Sequence, residues 1–163
     1  DRTASGWSAP RSLSEAINAL PAIHWGVSED RAGTFYFSAE QRVRYSECRN
    51  GRYGEPVTLD SLKDVNAFSP FVAPDGGYLL GNIEDEGERM FIVFRKTDGS
   101  WTKPVDLADI VGVPNGFCPM VTPDGRYLFF LSMIDGLYAP YWMDASFIEE
   151  LRPKALAGDQ ARI

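Results

Sequence analysis

The chain has one histidine, His24, and two cysteines, Cys48 and Cys118, in 163 residues. It contains no Cys-x-x-Cys and no second imidazole, so a zinc-type ligand set is not expected. Two distant cysteines do not make a disulfide framework, and two free, half-buried thiols are expected. Basic residues are also short, 16 Lys and Arg against 23 Asp and Glu. The net charge of -7 and a pI near 4.7 give a surface that repels phosphate backbones, so nucleic acid is not an expected partner. No apolar run approaches the roughly 20 residues a spanning helix needs. No Ser or Cys stands in a nucleophile motif, and no cofactor is implied. The chain starts at Asp1 without Met or a signal-peptide pattern, which reads as a mature form, a trimmed chain or a fragment.

What is present is a core and a repeat. Hydrophobic residues make up 44% and aromatics 13%, enough for one domain with a sizeable core. The organising stretch is Val121-Thr122-Pro123-Asp124-Gly125-Arg126-Tyr127-Leu128-Phe129-Phe130. It reads as strand, tight turn, strand: Pro sets φ for the turn, Asp-Gly tolerates positive φ, and the apolar run that follows favours β structure. An earlier copy is Val72-Ala73-Pro74-Asp75-Gly76-Gly77-Tyr78-Leu79-Leu80, and a worn one is Glu29-Asp30-Arg31 running into Phe35-Tyr36-Phe37. A second repeated block is Gly6-Trp7-Ser8-Ala9-Pro10, with copies around Tyr53-Pro56 and Trp101-Pro104. Pro10, Pro56 and Pro104 are spaced by 46 and 48 residues. Proline lacks a ladder N–H, so this block belongs on an edge strand, with Trp7, Tyr53 and Trp101 covering the edges.

Each unit therefore has four strands in sequence, at a period near 45. The expected fold class is all-β, built of β-propeller blades: an outer strand at 6–13, units at 24–59, 68–107 and 117–144, and a tail at 154–163. Ser12 followed by Glu15 suggests one helical turn in a connecting loop, and Ser146 to Leu151 a short helix ended by Pro153. Pro140 lies inside a strand, which implies a bulge or an unpaired edge.

The Pro-Asp-Gly-Arg-Tyr-Leu-Phe-Phe and Pro-Asp-Gly-Gly-Tyr-Leu-Leu blocks resemble the Pro-Asp core of WD40-like repeats of the TolB-type propeller. The Gly-Trp-Ser-x-Pro segment and Tyr141-Trp142-Met143-Asp144-Ala145-Ser146-Phe147 resemble a bacterial secreted group that carries them. The resemblance covers roughly residues 6 to 153. It implies a periplasmic or extracellular propeller. Its members have about six blades, where this chain has strands for three. Two arrangements remain open: the C-terminal half of a longer protein, or a homodimer whose two copies complete one ring.

Candidate site residues follow from the repeat. His24 and Trp25 begin an inner strand, where a histidine can serve as acid or base or be satisfied by hydrogen bonds. Asn66 and Phe68 recur as Asn115 and Phe117, a polar-aromatic pair suited to a ligand at the channel face or to a structural turn. Glu84 and Asp85, in the acidic run 84–88, are weak metal candidates without an EF-hand register. The expected function is a non-catalytic module binding a protein or small ligand at the channel face. The alternatives are a glycan- or peptide-directed hydrolase or lyase at the channel mouth, and a half-domain that needs its other half.

Overall fold

The structure, a computed structural model, describes residues 2–21, 25–85, 87–113 and 115–158, with only the backbone for Arg2 and Trp25. A small hairpin, β1 (Arg2–Thr3) and β2 (Gly6–Trp7), precedes the one-turn helix α1 (Glu15–Asn18). The first sheet contains β3 (Trp25–Glu29), β4 (Phe35–Ala39), β5 (Arg42–Ser46) and β8 (Val57–Thr58). A side hairpin, β6 (Cys48–Arg49) and β7 (Arg52–Tyr53), leaves it before β8. A 3₁₀ turn at Asp60–Leu62 leads to the second sheet: β9 (Ala67–Val72), β10 (Tyr78–Glu84), β11 (Glu88–Phe94) and β12 (Val105–Asp106). Helix α2 (Ala108–Val111) leads to the third: β13 (Gly116–Val121), β14 (Tyr127–Ile134) and β15 (Leu137–Asp144), followed by helix α3 (Phe147–Leu156). All pairings are antiparallel, and within each sheet every strand pairs with the next one of that sheet, so the described residues form an all-β fold with three short α-helices.

The three first strands lie side by side, with β9 against both β3 and β13. The sheets stack in chain order with the second in the middle. Tyr36, Val43, Leu79, Phe91 and Val93 fill the space between the first and second sheets. Leu80, Met90, Ile92, Phe94, Leu128 and Phe130 fill the space between the second and third. The far side of the first sheet, at Phe37 and Ala39, is covered by Leu13, Ile17 and Leu20. Each connecting segment thus plugs one junction: Leu59 and Leu62 at one, Leu107 and Ile110 at the next.

The turn chemistry follows the sequence. Asp75 and Asp124 each accept a bond through Oδ1 from the N–H two residues on, Gly77 at 2.9 Å and Arg126 at 3.1 Å. The worn copy is out of line with them. Asp30 N–H bonds to Thr34 O as Ala73 N–H does to Tyr78 O and Thr122 N–H to Tyr127 O, so Asp30 stands where Ala73 and Thr122 stand. Its turn is one residue shorter. Asp30 Oδ1 accepts from Thr34 N–H at 2.9 Å, the role Thr122 Oγ1 plays for Tyr127 N–H at 3.1 Å. Asp30 also accepts from the Tyr36 hydroxyl, whose pKa burial pushes up to about 12.

Within one chain, residues 6–13 join none of the three sheets: among the described residues Gly6–Trp7 pairs with Arg2–Thr3 alone, and Trp7 is left 79% exposed. Several other expectations need correction. The helix before the first sheet begins after Ser14, with no side-chain cap, and Ser12 lies outside it. The two ends of the acidic run are strand residues, since Glu84 ends β10 directly opposite Glu88 at the start of β11. Pro153 does not end the last helix. Phe147, Ile148, Leu151 and Ala155 make a helically spaced stripe against the second and third sheets, which carries α3 past the proline to Leu156. Residues 154–156 therefore belong to a helix, and 159–163 lie outside the described residues. Both thiols are free, Cys48 half-buried and Cys118 exposed.

Pro140 causes no bulge. Asp135 and Gly136, at φ 52° and 77°, make a two-residue turn that closes on the Ile134–Leu137 pair. Counting along the ladder from that bonded pair makes Leu131–Pro140 a non-bonded pair, so the proline nitrogen faces away from β14. That side is a free edge: among the described residues no fourth strand joins β15.

Candidate functional site

Every first strand is broken at one register. In β3 the pairing with β4 slips between Trp25 and Val27, in β9 the partner register slips between Leu80 and Asn82, and in β13 it slips between Phe117 and Met120. The residues in the slip are Gly26, Ser69 and Cys118, at φ +60°, +50° and +52°. For serine and cysteine this left-handed conformation is uncommon, and such residues gather where backbone geometry is over-determined. Bulges of this kind re-aim side chains and end regular pairing. Pro70 and Pro119 follow two of the three, where a ladder N–H is already lost.

The three bulges form a row. A Cβ built on Gly26 would lie 2.7 Å from Ser69 Cα, so the glycine is required by the approach of β3 to β9. Ser69 Oγ lies 3.5 Å from Cys118 Sγ. Ser28 Oγ reinforces the row, donating to Pro70 O at 3.0 Å and accepting from Val72 N–H at 2.9 Å. The result is a line of small residues, glycine, hydroxyl and exposed thiol, across three adjacent strands.

The predicted site residues are placed as follows. His24 lies outside the described residues. Trp25, Phe68 and Phe117 occupy one register, immediately before the bulge, opposite Ser38, Asn82 and Leu131 respectively. Phe68 and Phe117 are half-buried on sheet faces, and Phe117 meets Tyr138 edge-on at 5.6 Å. Asn66 is exposed but engaged: its Oδ1 accepts from Arg42 at 2.9 Å, tying the second sheet's entry to the first. Asn115 is exposed at φ +54°. The aromatic residues therefore flank the bulge row, while the asparagines sit two residues earlier, at the strand entries. The Asn-x-Phe recurrence runs on into a second one, the aromatic-small-Pro block Phe68-Ser69-Pro70 and Phe117-Cys118-Pro119. That block was visible in the sequence, and its third member, Trp25-Gly26-Val27, was hidden by the absence of proline.

Glu84 and Asp85 are engaged within their own hairpin. Asp85 is ion-paired with Arg89, which also donates to Asp106 at 2.5 Å. Burial first, then the facing Glu84, raises the Glu88 carboxyl above its ordinary pKa. Among the described residues no group of three potential ligands gathers to hold a metal ion. No described helix is long and apolar enough to cross a membrane.

No family model matches the chain, and no curated protein matches it. Among solved structures, the chain is similar to a Bacteroides uniformis protein whose crystal structure is named for a 6-phosphogluconolactonase, at TM-score 0.44 and 16% identity, covering 76% of this chain and 41% of that one. The chain thus spans about two fifths of that protein's length.

Proposed function

We propose that the chain is a non-catalytic binding module of β-propeller type, three blades of the WD40-like repeat class, that takes a protein segment or small ligand along the row of first-strand bulges. One observation carries this reading: Gly26, Ser69 and Cys118 share one register and one left-handed conformation, in three strands that run side by side. Positive φ is uncommon at serine and cysteine, and strained backbone that recurs along one line suits a binding surface. The flanking aromatics Phe68 and Phe117 give that line an apolar border. Export to the periplasm or beyond rests on the resemblance of the repeats alone.

The test is a chemical-shift titration of the isotope-labelled chain against a library of short peptides and sugar acids. The expected hits move the amides of residues 25–28, of Phe68, Ser69 and Phe71, and of Phe117, Cys118 and Met120 together, and Phe68→Ala with Phe117→Ala weakens them at least about tenfold, some 1.4 kcal/mol. Hits that map elsewhere, or affinity untouched by both substitutions, would sink the reading.

A further inference from the structure

The third sheet has the exposure of a surface that is meant to be covered. Ladder registers align the sheets residue by residue: Tyr36 pairs with Tyr45, Leu80 with Ile92, and Phe129 with Trp142. In the first two sheets these positions face the next sheet. Tyr36, Leu80 and Ile92 are 0% exposed there, and so is Val43, two residues before Tyr45. In the third sheet Phe129 is 39% and Trp142 65% exposed, with Met120 at 52% beside Phe129. An apolar face of this extent marks an interaction surface.

The free edge of β15 tells the same story. In the first sheet β8 pairs Val57 with Tyr45, and in the second β12 pairs Val105 with Ile92. Each outer strand is followed by a leucine whose N–H bonds back, Leu59 to Val43 O at 2.9 Å and Leu107 to Met90 O at 3.0 Å. The equivalent of Val43 and Met90 is Pro140. What is used at that position is a carbonyl, which proline keeps, and its missing N–H faces the side where β15 has no partner. Pro140 therefore fits an edge prepared for a fourth strand of this kind.

The chain carries a spare copy of what that edge lacks. Pro10, Pro56 and Pro104 align the N-terminal segment with the two outer strands, so Arg11 matches Val57 and Val105, and Leu13 matches Leu59 and Leu107. Leu13, Ile17 and Leu20 plug the far side of the first sheet as the other connectors plug their junctions. The segment cannot serve its own β15, because the first and third sheets lie at opposite ends of the stack.

We infer that the open face of the third sheet and the edge of β15 take up a second copy of this chain. Residues 11–13 of the partner pair with Tyr141 and Trp142, Leu13 N–H bonds to Pro140 O, and the partner's first sheet with its 13–20 plug covers Phe129 and Trp142. The two copies do this for each other, so a head-to-tail contact is closed by a twofold axis and leaves no edge open. The inference rests on the sheet repeat of the proposed reading and not on its ligand row, so shift titration and the assembly measurement fail independently.

The experiment is absolute mass by light scattering from about 1 to 100 µM, with two variants. The wild-type chain is expected at about 36 kDa, twice its 18.1 kDa. Trp142→Glu, at an exposed position that leaves the fold intact by circular dichroism, is expected to weaken the dimer at least about a hundredfold. Arg11→Cys with Trp142→Cys, in a chain whose Cys48 and Cys118 are serine, is expected to give a covalent dimer on oxidation. A wild-type monomer at 100 µM overturns the inference, and so does mass that climbs without limit. A dimer that survives Trp142→Glu and does not cross-link also overturns it, since it uses another surface.

Discussion

Replacing Phe91 by alanine is expected to remove about 3–5 kcal/mol of folding stability, measured by urea unfolding. The ring is 1% exposed in the layer between the first and second sheets, among Tyr36, Val43, Leu59, Leu79 and Val93. It lies over its cross-strand partner Gly81, so near that a Cβ there would sit 2.8 Å from the ring. Glycine on one strand and an aromatic on the next fill one volume together, and truncating the ring leaves a cavity that neither backbone can close. Against the roughly 5–15 kcal/mol that holds a domain together, the loss is a large fraction of the whole. Trp142→Ala provides the control. That side chain is as large but exposed, so the same substitution is expected to change the monomer's stability by less than about 0.5 kcal/mol. Equal losses at the two positions would contradict the assignment of one face as core and the other as open.

The second large effect is expected at Gly26. A valine there meets two obstacles, a left-handed φ of +60° and the Ser69 backbone 2.7 Å from its Cβ. A β-branched residue at positive φ costs of order 1–3 kcal/mol in strain, and the overlap with β9 adds to it, because the contacting atom is main chain. Gly26→Val is expected to lose about 3 kcal/mol or more and to separate β3 from β9. Ser69→Gly, at φ +50° in the adjacent strand, is expected to be neutral or stabilising by up to about 1 kcal/mol. A valine tolerated within about 1 kcal/mol would mean that the first strands do not approach as described, and the bulge row would lose its basis.

Much of the fold was legible because the repeat carries its own punctuation. Pro-Asp-Gly at 74–76 and 123–125 marked the turns, and the apolar runs after them marked β10 and β14. The first copy was misaligned because its turn is one residue shorter: Asp30 looks like the Asp of Pro-Asp-Gly but does the work of Thr122, holding the chain reversal through its carboxylate. The length of α3 was not legible, because a proline mid-helix argues locally for a stop, and what overrides it is the stripe of Phe147, Ile148, Leu151 and Ala155 on the sheets. The edge alternative at Pro140 was foreseen, but why that edge tolerates proline needed the ladder phase.

The candidate site was legible only in part. Its aromatic members could be found by recurrence. Its defining feature, positive φ at a serine and a cysteine, belongs to the backbone, and nothing in Ser69-Pro70 or Cys118-Pro119 announces it. Three blades where a ring needs more implied an open end, but the residues that line it were not legible, since Phe129 and Trp142 stand in strands like any others. They stand out only when their registers are compared with Leu80 and Ile92, which are covered.

The central claim is that the second sheet, packed on both faces, holds a stack whose third sheet is covered on one side only. Native-state hydrogen exchange on the Trp142→Glu chain tests it most directly. The account predicts that the slowest amides lie in β10 and β11, at Leu79 to Ile83 and Met90 to Phe94, and that β14 and β15 open at lower free energy. Amides of β14 and β15 as slow as those of β10, or slower, would contradict it.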